Sequence, residues 1–260
     1  MTAALGVSLR SPKRYQSRFP PRKGITLFTR FLAVTFIAAG IAAAIAPIDA
    51  RADALQGKLL ASIKATRPDG YSFQRTLVIE RSGAPRKVFV ERYDPRRPTA
   101  DRWSLVSVDG QAPSAKEVAQ SRKAKRGPTP SYAELAEWFG APATRSDTTP
   151  GYATYHFARL PAGVLKIGSH DASPDTQAEA LVNLKGATPY VERIRFVSTK
   201  GFRMMMVASI QSLDITGRYR LLPNGAPIPD GSASVMAGSL MGKSGQMKTS
   251  VTFDAVRPVD

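Results

Sequence analysis

Three consecutive methionines stand in the segment GFRMMMVASIQ, residues 201–211, and six of the chain's seven methionines fall between 204 and 247. Clustered thioethers are a chemistry in themselves, because soft sulfur suits Cu(I). The surrounding pattern favours packing instead. Alternate side chains of a strand share a face, which sets Met204 and Met206 with Phe202, Ala208 and Ile210, and Met205 with Val207. Met247 shares a face with Val251 and Phe253 in the same way. No His or Cys stands beside either set, so no metal is expected there, and copper binding is kept only as a lesser alternative. Methionine is unbranched and polarizable, and it serves surfaces that must fit varied apolar partners. The expectation is that Phe202, Met204, Met206, Met247, Val251 and Phe253 form an apolar concave face able to take an acyl chain.

The remaining reactive residue types do not assemble into a catalytic pattern. His156 sits within YATYHFARL on the face of Tyr152 and Thr154, and reads as a satisfied strand residue. His170 and Asp171 lie in GSHDASPD, where an isolated pair is turn chemistry more often than a ligand set. Glu80, Glu91 and Asp94 are carboxylates on or beside strands with no partner signal, and read as exposed-face residues. A hydrolase needs a nucleophile with an oriented base, and neither G-x-S-x-G nor H-E-x-x-H is present, nor a phosphate-cradling glycine loop. No enzyme activity and no cofactor are expected. Arg122, Lys123, Lys125 and Arg126 form a basic run that reads as a solvated loop or, in its sharper form, a contact for an acidic partner. Arg96, Arg97 and Arg102 flank turns fixed by Asp94-Pro95 and Asp109-Gly110 and read first as structural; the opposite reading makes them a basic rim for an anionic head group.

Several whole-chain features bound the class. The 260 residues carry 37 Lys and Arg against 20 Asp and Glu, with no cysteine. Zero cysteines excludes disulfides, thiolate catalysis and cysteine metal sites. Residues 1–30 are basic with no acidic residue; residues 31–47 are apolar and uncharged; Ala50-Arg51-Ala52 then gives small residues at −3 and −1. That is the anatomy of a secretory signal peptide cleaved after Ala52, with a long basic n-region. The mature chain, 53–260, keeps 29 basic against 19 acidic residues. It is long enough for a single domain with its own core. Export to the periplasm makes an anionic membrane surface the natural counter-charge, and nucleic acid is not an expected partner.

The elements follow from periodicity. Leu55, Leu59 and Ile63 recur at helical spacing. YSFQRTLVIE, RKVFVERY and RWSLVSV alternate and are joined by short turns, which makes an antiparallel meander. Ser114 with Glu117, and Ser131 with Glu134, have capping-box spacing and imply two short helices, the second carrying Tyr132, Leu135, Trp138 and Phe139. From Tyr152 strands return: YATYHFARL, EALVNL, YVERIRFV, one long FRMMMVASIQSLDITGRYRLL, SASVMAGSLMG and QMKTSVTFDAV, the last pair turning at residues 243–245. About nine strands and two inserted helices are expected. The class is α+β, mainly β: a curved antiparallel sheet, an open half-barrel, covered by short helices.

This order of elements resembles the lipoprotein-carrier half-barrel of LolA and LolB among secreted proteobacterial proteins. The resemblance runs from the YDP…RW-x-L-x-x-V-x-G segment (from Tyr93), through the capped helices, to PYVERIRFV, FRMMMVASI, the Tyr219 strand with PNGAP and a closing hairpin. It implies an open curved sheet roofed by helices, with an apolar space that accepts the acyl chains of lipid or of a lipidated protein. No individual residue is transferred from the family. An envelope interaction protein with a filled core is the alternative.

Overall fold

Strict alternation of apolar and polar side chains carries most of the chain into strands. A computed structural model describes residues 7–8, 53–66, 70–123, 131–205 and 208–259. The expected leader therefore lies outside the described residues, except for the two-residue strand β1 (Val7–Ser8), which pairs with β7 (Lys166–Ile167). β7 pairs in turn with β8 (His170–Asp171).

The main sheet has eleven strands. The first part of the chain contributes β2 (Tyr71–Arg81), β3 (Ala84–Tyr93), β4 (Trp103–Val108), β5 (Thr144–Ser146) and β6 (Tyr152–Phe157). The second part contributes β9 (Thr176–Asn183), β10 (Tyr190–Ser198), β11 (Phe202–Met205), β12 (Ala208–Leu221), β13 (Pro227–Leu240) and β14 (Lys243–Pro258). Their order is β4-β3-β2-β14-β13-β12-β10-β9-β6-β5, with β11 also on β12. Neighbours are antiparallel throughout. The last strand, β14, joins the N-terminal meander to the rest through β2. The terminal strands β4 and β5 do not pair with each other, so the sheet stays open. With two α-helices among the described residues, α1 (Ala54–Ala65) and α2 (Ala115–Lys123), the expected class of a mainly β, open antiparallel α+β fold holds. Register shifts in β10, β12 and β14 add the local bends that bulges produce.

Two details differ from expectation. The segment from Phe202 to Leu222, read as one strand, is two: β11 folds back antiparallel on β12, with Phe202 opposite Ile210. No glycine or proline punctuates residues 204–208, so nothing local announces the break. The β13–β14 hairpin turns at Met241 and Gly242, two residues earlier than read, with Leu240 paired to Lys243. Both turn residues have positive φ, 51° and 77°, as a two-residue hairpin loop that matches strand twist requires.

Helix α1 is capped by Asp53, whose carboxylate accepts from Leu55 N at 3.0 Å. The same carboxylate accepts from the Tyr155 hydroxyl at 2.6 Å and from Arg145 at 3.0 Å, which ties the helix start to β6 and β5. The predicted stripe is realised: Leu59 and Ile63 are buried. Gln56 Nε2 donates to the carbonyls of Phe139 and Ala141 at 2.7 and 2.9 Å, fastening α1 to the segment after the 3-10 helix Tyr132–Glu137. Below it Trp138 is fully buried and meets Phe157 and Phe196 edge to face at 5.0 and 5.2 Å. α2 has the reciprocal capping box: Glu117 accepts from Ser114 N at 2.8 Å, and Ser114 Oγ accepts from Glu117 N at 3.3 Å.

Candidate functional site

Cross-strand partners project to the same side of a sheet, so register alone defines the rows that could make a binding face. One row is Ile194, Gly217, Ser232, Val251 and Leu77; the next is Phe196, Ile215, Ser234, Thr249 and Ile79; a third holds Leu213, Met236 and Met247. Toward β6, β9 and β10 the space is filled. Leu135, Trp138, Phe139, Tyr155 and Phe157 belong to one continuous buried cluster there. Over β12, β13 and β14 it is not. A cavity of about 300 Å³ lies there, lined by Ile194, Phe196, Ile215, Met236, Met247, Val251 and Phe253, with Leu165, Ser131 and Glu134 on its other walls. One water needs only ~10–15 Å³ of such space, so the volume is of ligand size.

The hollow exists because the floor is built from small residues. Gly217, Ser232 and Ser234 line it at positions where a larger side chain would stand in the space. At Gly217 a Cβ would sit 3.0 Å from Ile194 Cγ1, so glycine there lets the isoleucine lie across the neighbouring strand. A second aromatic group closes one end of this half: Phe73, Tyr93 and Phe253 are buried together, with Phe73 5.1 Å from Tyr93 and 5.3 Å from Phe253.

Three charge-bearing side chains, Arg75, Arg218 and Glu134, line the cavity together with the phenol of Tyr219. Arg75 is ion-paired to Glu91 at 2.6 Å and lies over the Trp103 ring at 4.0 Å. Glu91 is therefore not the exposed-face carboxylate expected from sequence; it is 7% exposed. It stands directly across from Arg75 on the neighbouring strand, and a buried charge persists only when paired. Arg218 stands 3.9 Å from Asp230, which Arg220 approaches at 3.1 Å.

Glu134 is the third, and it departs from its expected role. Ser131 does cap its segment, accepting from Ala133 N at 3.1 Å. The segment, however, is a 3-10 helix, and Glu134 does not complete a capping box. Its Oε1 is sealed from solvent with no hydrogen-bond partner, and the side chain lines the cavity. Burial, with the neighbouring Glu137 adding repulsion, pushes its pKa up to about 8. Tyr219 is also shifted upward by withdrawal of its phenol from water, with Glu134 adding to the effect. Tyr132, pushed up to about 12 by burial, meets the Tyr219 ring edge to face at 5.2 Å and accepts from Val191 N at 2.8 Å.

The Glu134 shift has a definite sign in stability. A carboxyl raised from 4.5 to about 8 holds its proton in the fold while the unfolded chain has already released it, so it lowers stability progressively as pH rises from about 4.5 to 8. Glu134→Gln removes that linkage. The variant is expected to be more stable than the wild type by a few kcal/mol at pH 9, with about 5 kcal/mol as the upper bound for a carboxyl raised from 4.5 to about 8, and equal to it at pH 4. Thermal melts at the two pH values check this; equal melting at pH 9 would show the carboxyl to be solvated.

Of the six residues expected on the apolar face, Met247, Val251 and Phe253 line the cavity. Phe202 stacks on His170, ring centroids 4.1 Å apart, and Met204 packs against the main core beside Gly168. Met206 lies outside the described residues. Arg122 and Lys123 are exposed in the last turn of α2, whereas Lys125 and Arg126 fall outside the described residues. Arg96 is held by Asp94 at 2.9 and 3.0 Å, so the turn engages that part of the second basic rim. His156 lies between Ser146 Oγ at 3.3 Å and Glu179 at 3.7 Å. Asp171 accepts from Gly163 N and from Ser173, which is turn chemistry.

Sequence reasoning passed over Ile194, Phe196, Ile215, Ser232, Ser234 and Glu134. Alternation in PYVERIRFV marks Ile194 and Phe196 as one face, and would have found them. Nothing local identifies two serines as the floor of a cavity. No helix among the described residues is long and apolar enough to cross a membrane.

The chain matches no protein-family model and no curated protein. Among solved structures it is similar to a LolA superfamily protein from Nitrosomonas europaea, at 10% identity and a TM-score of 0.32, covering 79% of this chain and 94% of that one. It is also similar to a DUF1329 family protein from Desulfovibrio piger, at 9% identity and a TM-score of 0.32, covering 78% and 90%.

Proposed function

We propose that this is a periplasmic, non-enzymatic, carrier-like protein that takes an acyl chain of a lipid or a lipidated protein into the cavity over β12–β14. The observation that carries the reading is the unfilled volume of about 300 Å³ between an apolar sheet face and the protein's own cover. Packed interiors have few voids larger than a water molecule, so an apolar hollow of this size is a place for a ligand. Its floor carries Met236 and Met247 side by side on adjacent strands, and flexible thioethers adapt to chains that lack a fixed shape. Burial drives the association, at about 25 cal/mol per Å² of apolar surface, with no directional contact required along the chain.

The leader expected in residues 1–52 delivers the protein to the periplasm in this reading, leaving 53–260 as the working domain. The basic run at Arg122, Lys123, Lys125 and Arg126 serves as the contact for an anionic head group or membrane surface.

Native mass spectrometry of protein purified from the envelope is the test. Co-purified lipid, or uptake of offered lipid by delipidated protein at one chain per molecule, is expected. A clean unliganded mass that stays unchanged on addition of lipid or lipopeptide would remove the proposal.

A further inference from the structure

One methionine stands apart from the cavity and from the core. Met241 is 76% exposed and belongs to neither buried cluster. It is the first residue of the two-residue turn between β13 and β14, with φ 51°. A bulky side chain rarely adopts that conformation, and such turns favour Asn, Asp or Gly. Folding does not explain a residue whose backbone is held at a cost and whose side chain packs in no core, and an outlier of this kind points to function. The other methionines with described side chains are placed differently. Met236 is 8% exposed, and Met204 and Met247 pack partly buried against the main core.

We propose that Met241 is a modification site, the preferred site of oxidation among these methionines. A two-electron oxygen donor, a hypohalous acid or a peroxide, converts it to the sulfoxide, and a methionine sulfoxide reductase restores it. With hypochlorous acid, a sulfur lone pair forms the S–O bond as the O–Cl bond breaks. Chloride leaves with the electron pair, and the hydroxyl proton passes to water. In the reverse direction two electrons and two protons from the reductase return the thioether and release water. No cysteine in the chain competes for the oxidant. Water solvates the forming S–O dipole at Met241, whereas at Met236 the same dipole is buried, and burial without a hydrogen bond disfavours it. The turn also holds Leu240, 58% exposed, so the segment stands clear for a reductase to reach. Oxidation makes one half of this apolar tip polar. The inference is independent of the carrier reading.

The test titrates the full-length purified protein with hypochlorous acid, from less than one equivalent upward, and locates the added oxygen by fragmentation mass spectrometry. If rate follows exposure, Met241 is expected to oxidise about tenfold faster than Met236, and faster than Met204 and Met247. The singly oxidised protein is expected to melt with the untreated one, since changes at exposed positions are close to neutral. Met241→Leu is expected to delete the first one-oxygen step and leave the slower steps unchanged. A methionine sulfoxide reductase with a thiol reductant is expected to remove the oxygen from the folded protein. Oxidation of Met204, Met236 or Met247 as fast as Met241 overturns the inference. So does a large fall in melting temperature on the first oxygen, or a Met241 sulfoxide that the reductase leaves in place. The wild-type oxidation map decides the site even if the variant folds poorly.

Discussion

Ser234→Trp is expected to weaken acyl-chain uptake on the order of 100-fold while leaving the protein folded. Ser234 sits on β13 between Ile215 and Thr249, part-buried, on the floor of the cavity. An indole placed there occupies space that is empty, so the overpacking that costs ~1–3 kcal/mol in a filled core does not arise. The chain, in contrast, loses its seat. Each methylene kept out of the site forfeits about 0.8 kcal/mol, and exclusion of roughly four weakens binding by about 3 kcal/mol, on the order of 100-fold. Lipid titration followed by native mass spectrometry, beside a thermal melt, reads both effects. A variant that binds as well as the wild type would place the ligand elsewhere. A variant that melts far below it would mean that the space was never empty, and the carrier reading would lose its ground.

The second large effect is on stability. Trp138→Ala is expected to cost about 3–5 kcal/mol and to lower the melting temperature by roughly 10 °C or more for a domain of this size. Trp138 is 1% exposed and joins the 3-10 segment to the sheet through Phe157 on β6 and Phe196 on β10. Its loss opens a void where three elements meet, and Phe196 also lines the cavity. Trp138→Phe is expected to cost far less, about 1 kcal/mol, because the indole Nε1 has no hydrogen-bond partner to lose. Chemical denaturation of the two variants separates the packing contribution from the polar one; equal losses would mean that Nε1 has a partner after all.

Period and punctuation made much of the fold readable. The alternation in YSFQRTLVIE, the helical stripe of Leu55, Leu59 and Ile63, and the Ser114–Glu117 capping box each involve residues a few positions apart, and each is found where it was read. The misreadings share another cause. Glu134 has the spacing of a cap and the position of a cavity wall, because the segment winds as a 3-10 helix and β13 and β14 pass nearby. Glu91 looks like a solvent-facing strand residue until β2 brings Arg75 opposite it. Met204 and Met247 have the same apolar strand context and both pack, partly buried, against the main core, yet Met247 lines the hollow and Met204 does not.

By itself the order of residues determined the class: a mainly β chain with short capped helices, no cysteine chemistry, and alternating faces able to pack. These are local properties, set by the rotation of successive side chains and by which backbone groups a neighbouring side chain can satisfy. Only the tertiary arrangement decided where the covered side of the sheet is packed and where it is vacant. Vacancy depends on the summed volumes of side chains from Leu165 and the Ser131–Glu134 segment on one side and from β10, β12, β13 and β14 on the other, a sum to which distant residues contribute and which no short stretch of sequence contains.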